Sequence, residues 1–193
     1  MLEKVEWTKK GFLLTIDGEE ILIHRDAYLE GNLDVGQEVD LDALRHRSDF
    51  FFGMERAQGY LSRGPRTRRQ LQDYLYKRGF ISPLEEILDL LTEYGLLNDL
   101  DYAQRYYEEE KHRRGSMAIV ARLRQRGVSS HVIDQLHMEE DPEDAAEILR
   151  KKYSHWEDLS YEEEAKRKNF LLGRGFSYET INESIILAKN PKK

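Results

Sequence analysis

The chain has no cysteine. Disulfide frameworks, thiolate metal sites and cysteine nucleophiles are excluded with it. Proline is scarce, with 4 in 193 residues, so helices meet few breakers. No apolar run approaches the roughly 18 residues of a membrane span. The first residues, Met1-Leu2-Glu3-Lys4-Val5-Glu6, lack the apolar stretch of a signal peptide. A cytoplasmic address and no membrane partner are expected. Motifs that carry chemistry are missing too. There is no G-x-x-x-x-G-K phosphate loop, no G-x-G-x-x-G after a strand, no H-E-x-x-H pair and no nucleophile elbow. The six histidines are scattered. The acidic triplets Glu108-Glu109-Glu110 and Glu162-Glu163-Glu164 point around a helix rather than along one face. No catalytic residue, metal or cofactor is expected, and the chain is read as a non-enzyme.

What is present in abundance is charge. Charged residues make up 35% of the chain, with a net charge of −7, and the mean hydropathy is −0.74. That balance argues against a simple nucleic-acid binder, but the charge is unevenly spread. Residues 1–54 carry net −6, 55–79 net +5, 80–112 net −7, 113–126 net +5, 127–165 net −9 and 166–193 net +5. Three basic blocks thus alternate with acidic ones.

Each basic block contains or ends on the same step. It reads Arg78-Gly79-Phe80, Arg126-Gly127-Val128 and Arg174-Gly175-Phe176, with the glycines 48 residues apart. A leucine stands three places before each arginine (Leu75, Leu123, Leu171), and a serine and a further apolar segment follow each step. A fixed period of this size signals a repeat architecture. Stacked repeats create an extended surface that suits binding more than catalysis. The plain reading of the basic blocks is three solvated helix faces. Their recurrence at equivalent positions favours one basic stripe facing a polyanion.

Along the chain, residues 1–24 read as strands. Phe12–Ile16 and Glu20–His24 flank Asp17-Gly18, a type I′ hairpin signal. Lys9-Lys10-Gly11 turns an earlier strand, Lys4 to Thr8, into Phe12. Residues 25–39 show turns at Gly31-Asn32 and Gly36-Gln37, and Asp40 caps a short helix through Leu44. Helical periodicity takes over near Phe50. Thr67, Ser129, Asp141 and Ser177 are predicted helix caps, Pro142 a first helical residue, and Gly79, Gly127 and Gly175 left-handed helix ends. Ala57, Ala103 and Ala145 recur in the opening helices and predict tight crossings. Phe50-Phe51-Phe52 reads as hinge packing between the modules in preference to a partner-binding anchor. The expected fold is mainly α: a small β-rich module over 1–48, then three-helix repeats over 49–96, 97–139 and 140–193.

These residues resemble the RecX family of bacterial regulators of the RecA recombinase, over about residues 54–188. In the first repeat the likeness rests on Ala57, Tyr60-Leu61, Arg63, Pro65-Arg66, Leu71 and Leu75. In the second it rests on Gly95-Leu96-Leu97-Asn98-Asp99, Tyr102-Ala103, Gly115, Ile119, Leu123 and Gly127-Val128. In the third it rests on Leu171, Arg174-Gly175-Phe176-Ser177 and Ile181. The resemblance implies three tandem three-helix repeats in an elongated, curved array. It implies binding to the RecA–single-stranded DNA filament, with no catalytic site of its own; a monomer is expected. It also implies inhibition of recombinase ATP hydrolysis, strand exchange and co-protease action. From the charge blocks, the candidate contacts with recombinase or DNA are Arg66, Arg68, Arg69 and Arg78, then Arg113, Arg114, Arg122, Arg124 and Arg126, then Lys166, Arg167, Lys168 and Arg174. A general nucleic-acid-binding helical-repeat protein and a protein-binding scaffold are the competing expectations.

Overall fold

The structure is a computed structural model that describes residues 1–190. The chain forms two compact units, one ending at Asn98 and the other beginning at Asp99.

The first unit opens with three antiparallel strands in the order β1 (Leu2–Thr8), β2 (Gly11–Ile16), β3 (Glu19–Ile23). Asp17 and Gly18 both take positive φ, 50° and 81°, and so make the expected turn. Leu14 pairs with Val5 on one side and Ile21 on the other, and Leu14, Ile16 and Ile23 are buried. Residues 25–31 form helix α1 (Arg25–Gly31), where the sequence had suggested only turns. Its single buried residue is Ala27, too little apolar signal for a period to show. The predicted turn at Gly31-Asn32 survives as the helix end, with Asn32 at φ 43°.

A second correction concerns α2 (Leu41–Leu61). Asp40 caps it, accepting from the Ala43 N–H at 3.1 Å, but the helix does not stop at Leu44. It runs unbroken for 21 residues, through the point where helical structure was expected to begin. Its start carries Leu44 into the core of the strands, and the stretch from Phe50 on carries Phe50 and Ala57 into the core of α3 (Arg68–Tyr76) and α4 (Leu84–Glu93). Phe51 packs against both cores, as expected of the Phe50-Phe51-Phe52 cluster. Thr67 and Gln70 form a reciprocal capping box at the start of α3. Leu71, Leu75, Ile87, Leu88 and Leu91 are fully buried in this three-helix core.

The second unit contains α5 (Asp99–Glu110), α6 (Ser116–Gln125), α7 (Ser130–Ile133), α8 (Pro142–Lys152), α9 (Tyr161–Leu172) and α10 (Tyr178–Lys189). The predicted caps Ser129, Asp141 and Ser177 all accept backbone N–H bonds, and Pro142 takes the first turn. Helix α7 is shorter than its apolar pattern suggests; a turn beyond it brings Leu136 into the core. Ala103, Ile119 and Leu123 centre one core; Ala145, Leu149, Leu171 and Phe176 centre the other. The fold is mainly α: three tandem three-helix repeats after a small β-rich start. Among the described residues, no helix is long and apolar enough to cross a membrane.

Close contacts tie the last two repeats together. Gly115 and Met117 donate backbone N–H bonds to the carbonyls of Arg174 and Gly175, at 3.1 Å each. A Cβ at Gly115 would lie 2.2 Å from the Gly175 carbonyl oxygen, so only glycine permits this approach. The Glu140 carboxylate accepts from the Ser116 N–H (2.6 Å), the Ser116 hydroxyl (2.7 Å) and the Ser177 N–H (2.9 Å). One side chain therefore serves the N-termini of both α6 and α10.

Candidate functional site

The repeated Arg-Gly step is first a helix stop. In each copy the residue after glycine donates to the carbonyl of the leucine five places back: Phe80 to Leu75 (3.3 Å), Val128 to Leu123 (3.1 Å) and Phe176 to Leu171 (3.3 Å). Each glycine donates three places back, to Tyr76, Arg124 and Leu172. The glycines sit at φ 87°, 85° and 83°. This is a Schellman ending, which needs a left-handed residue at that point. The repeat of Leu, Arg and Gly in the sequence is therefore a repeat of one backbone hydrogen-bond pattern.

The arginines of the three steps share a second feature. Each guanidinium covers an aromatic ring of its own repeat: Arg78 on Tyr74 (3.6 Å to the centroid), Arg126 on Tyr106 (4.2 Å) and Arg174 on Phe170 (4.8 Å). In the first repeat the arrangement extends. Tyr60 and Tyr74 stack at 4.1 Å, and Arg66 covers Tyr60 at 4.9 Å. A ring attracts a cation without cancelling its charge. The rings thus help to hold these arginines in place.

The other candidates divide into three groups. Arg68 bonds Glu85 (2.9 Å) and Asp89 (2.7 Å), Arg69 pairs with Asp73, Arg114 with Glu110 and Lys168 with Glu164. Burial draws the Arg68 pKa down, but the bonds from Asp89 and Glu85 outweigh it, and the net shift is upward. Arg113, Arg122, Arg124 and Lys166 form the second group. They have no acidic partner among the described residues, and Arg113, Arg124 and Lys166 are exposed. Arg167 stands alone and departs from the expected basic stripe. It is only 5% exposed, with its guanidinium 4.6 Å from the Trp156 ring and 5.1 Å from that of Tyr153. It donates to the His155 carbonyl at 2.5 Å. It falls one turn before Leu171 on the inner face of α9, so helical phase buries it.

The comparisons with known proteins agree on one relationship. The model of the third three-helix domain of RecX matches residues 139–185. The regulatory protein RecX of Clostridium botulinum (strain Eklund 17B / Type B) is 31% identical over 158 residues, which covers 78% of this chain and 74% of the relative. The chain belongs to the RecX family. Another RecX, from Clostridium tetani (strain Massachusetts / E88), is 28% identical over 164 residues, covering 78% of this chain and 74% of the relative. Among solved structures, a crystal structure of regulatory protein RecX superposes with TM-score 0.74, 23% identity, and coverage of 94% of this chain and 96% of the other. That likeness is one of fold. The crystal structure of RecX from Lactobacillus salivarius gives TM-score 0.64 and 25% identity, covering 72% of this chain and 96% of the other.

Within this RecX fold, the charge blocks missed several basic residues. Lys152 Nζ lies 3.8 Å from the Phe170 centroid, on the same ring as Arg174, and Lys151 and His112 stand beside it. All three belong to stretches of net negative charge, so averaging over blocks hid them. The available signal was local: Arg150-Lys151-Lys152 closes α8, where cations complement the helix dipole. Among the described residues, no group of three His, Cys, Asp or Glu is placed to hold a metal ion.

Proposed function

We propose that this protein is a non-enzymatic, monomeric, cytoplasmic regulator. On this reading it binds the RecA–single-stranded DNA filament and inhibits ATP hydrolysis, strand exchange and co-protease activity. The repeats over 49–96, 97–139 and 140–193 are the contacting units, and the β-rich module over 1–48 precedes them. The observation that carries the reading is family membership, since the relatives are named regulatory protein RecX. The geometry supports it with one arginine per repeat held on a ring. Arg113, Arg122, Arg124 and Lys166 add cations without an acidic partner among the described residues. A filament presents both DNA phosphates and protein carboxylates, and a chain of alternating charge blocks suits both.

The test is binding to a preformed RecA filament on fluorescent single-stranded DNA. The double variant R122E/R124E leaves the core residues Ile119 and Leu123 untouched. It is expected to bind about tenfold or more weakly, by roughly 1–3 kcal/mol. Unchanged binding by a folded variant contradicts a role for this block. A general nucleic-acid binder is the second reading, favoured by the same cations Arg113, Arg122 and Arg124. It predicts equally tight binding to naked DNA, with a steep loss of affinity in salt.

A further inference from the structure

The loop between α5 and α6, the end of α8 and the end of α9 line an open surface cleft of about 340 Å³. Its polar wall is cationic: Arg113, Lys151, Lys152 and Arg174, with His112 at one side. Two of these groups are already balanced. His112 Nδ1 lies 2.6 Å from Asp144, and Lys151 Nζ lies 2.7 Å from Glu147. Arg113, Lys152 and Arg174 have no acidic partner among the described residues. What gathers them is not a carboxylate. Lys152 and Arg174 both sit on the Phe170 ring, at 3.8 and 4.8 Å from its centroid. Arg174 also donates to the Arg113 backbone carbonyl at 3.2 Å, which fixes the loop beside it.

Like charges in one small space repel, and folded chains ordinarily place acids between them. Here a π-face and a backbone carbonyl hold the cations instead, and neither neutralises them. Three unbalanced charges around one cleft exceed what a single carboxylate offsets. They match a phosphate, whose several oxygens accept from guanidinium forks and an ammonium together.

We propose that this cleft is a phosphate-binding site. The phosphate is supplied either by the backbone of a single-stranded nucleic acid or by a free polyphosphate such as a nucleotide tail. The site shares Arg113 and Arg174 with the surface proposed above, but it needs no recombinase as partner. Its test contains none, so either idea can fail without the other.

The experiment is calorimetric titration of the full chain with inorganic triphosphate and, separately, with a short oligothymidylate, at two salt concentrations. Wild-type protein is expected to bind at least one probe. The variant R113Q/K152Q, checked for native circular dichroism, is expected to bind about tenfold or more weakly. For the oligothymidylate, its salt slope should fall by about 1. K152Q alone, at an exposed side chain, should show part of that loss, and R63Q in the other unit should show none. Binding of triphosphate alone identifies a free polyphosphate as the source, and binding of the oligothymidylate a strand. The proposal is overturned if wild-type protein binds neither probe at low salt, or if the double variant binds as tightly as wild type. A polyglutamate peptide that binds where both phosphate probes fail also overturns it, in favour of protein carboxylates.

Discussion

Gly79 and Gly175 share a left-handed backbone, yet a methyl group would meet different surroundings at each. At Gly79 there is open space, whereas at Gly175 a Cβ would lie 2.3 Å from the Ala118 nitrogen and 2.5 Å from its Cβ. G79A therefore carries only the backbone cost of a left-handed alanine, about 1–2 kcal/mol. G175A adds a clash against the start of α6 and is expected to cost about 3 kcal/mol or more. Urea unfolding of the two variants measures the difference, and equal losses would contradict the close packing at Gly175. Glu140 gives a pH-dependent counterpart. Burial pushes its carboxyl pKa up, but hydrogen bonds from Ser177, Ser116 and Thr180 outweigh that, and it lies below the ordinary value of 4.5. A group with a depressed folded pKa stabilises above its unfolded pKa and loses that contribution as pH falls through the folded one. E140Q is accordingly expected to cost about 1–2 kcal/mol at pH 7. The gap to wild type should shrink as pH drops below 4.5. A gap that persists unchanged into acid would rule out the carboxylate as its source.

Among the elements, α2 is the one the sequence represented least well. Its cap Asp40 and the apolar positions Leu44 and Ala57 were visible, but Phe50-Phe51-Phe52 looked like a new beginning when it is the middle of one helix. The reason is that α2 serves two cores and so turns different faces inward along its length, which blurs a single period. Helix α1 was hidden by its shortness; α7 was legible from its cap Ser129, and only its length differed, because a turn does the work of its last helical turn. By contrast, Thr67, Ser129, Asp141, Ser177 and the three step glycines were legible, because caps and left-handed ends depend on local chemistry alone. The joint between α2 and the strands is testable. Ser48, 2% exposed, accepts from the His24 backbone N–H at 2.8 Å. S48A leaves that buried donor without its acceptor and should lower stability by about 1–3 kcal/mol in thermal or urea unfolding. No loss would mean that α2 does not hold the strand module through this bond.

For the molecule as a whole, the repeat of 48 residues revealed the fold, since each step encodes one helix ending and one buried leucine. The site was less legible. Net charge by block picked out Arg113, Arg122 and Arg124 but could not separate them from the ion-paired Arg68 and Arg114, nor foresee that Arg167 is buried. Nor could it find Lys152, whose neighbour Phe170 is 18 residues away in sequence. Pairing and burial are properties of three-dimensional neighbours, and no window along the chain contains them. The regulatory reading makes its sharpest claim about a partner's chemistry. The most direct measurement is ATP hydrolysis by RecA on single-stranded DNA as this protein is titrated in. Inhibition at well below one molecule per recombinase subunit is the predicted result, because a regulator lying along a filament acts on more than the subunit it touches. Unaltered hydrolysis at saturating amounts of folded protein would contradict the account and leave the family likeness as one of fold.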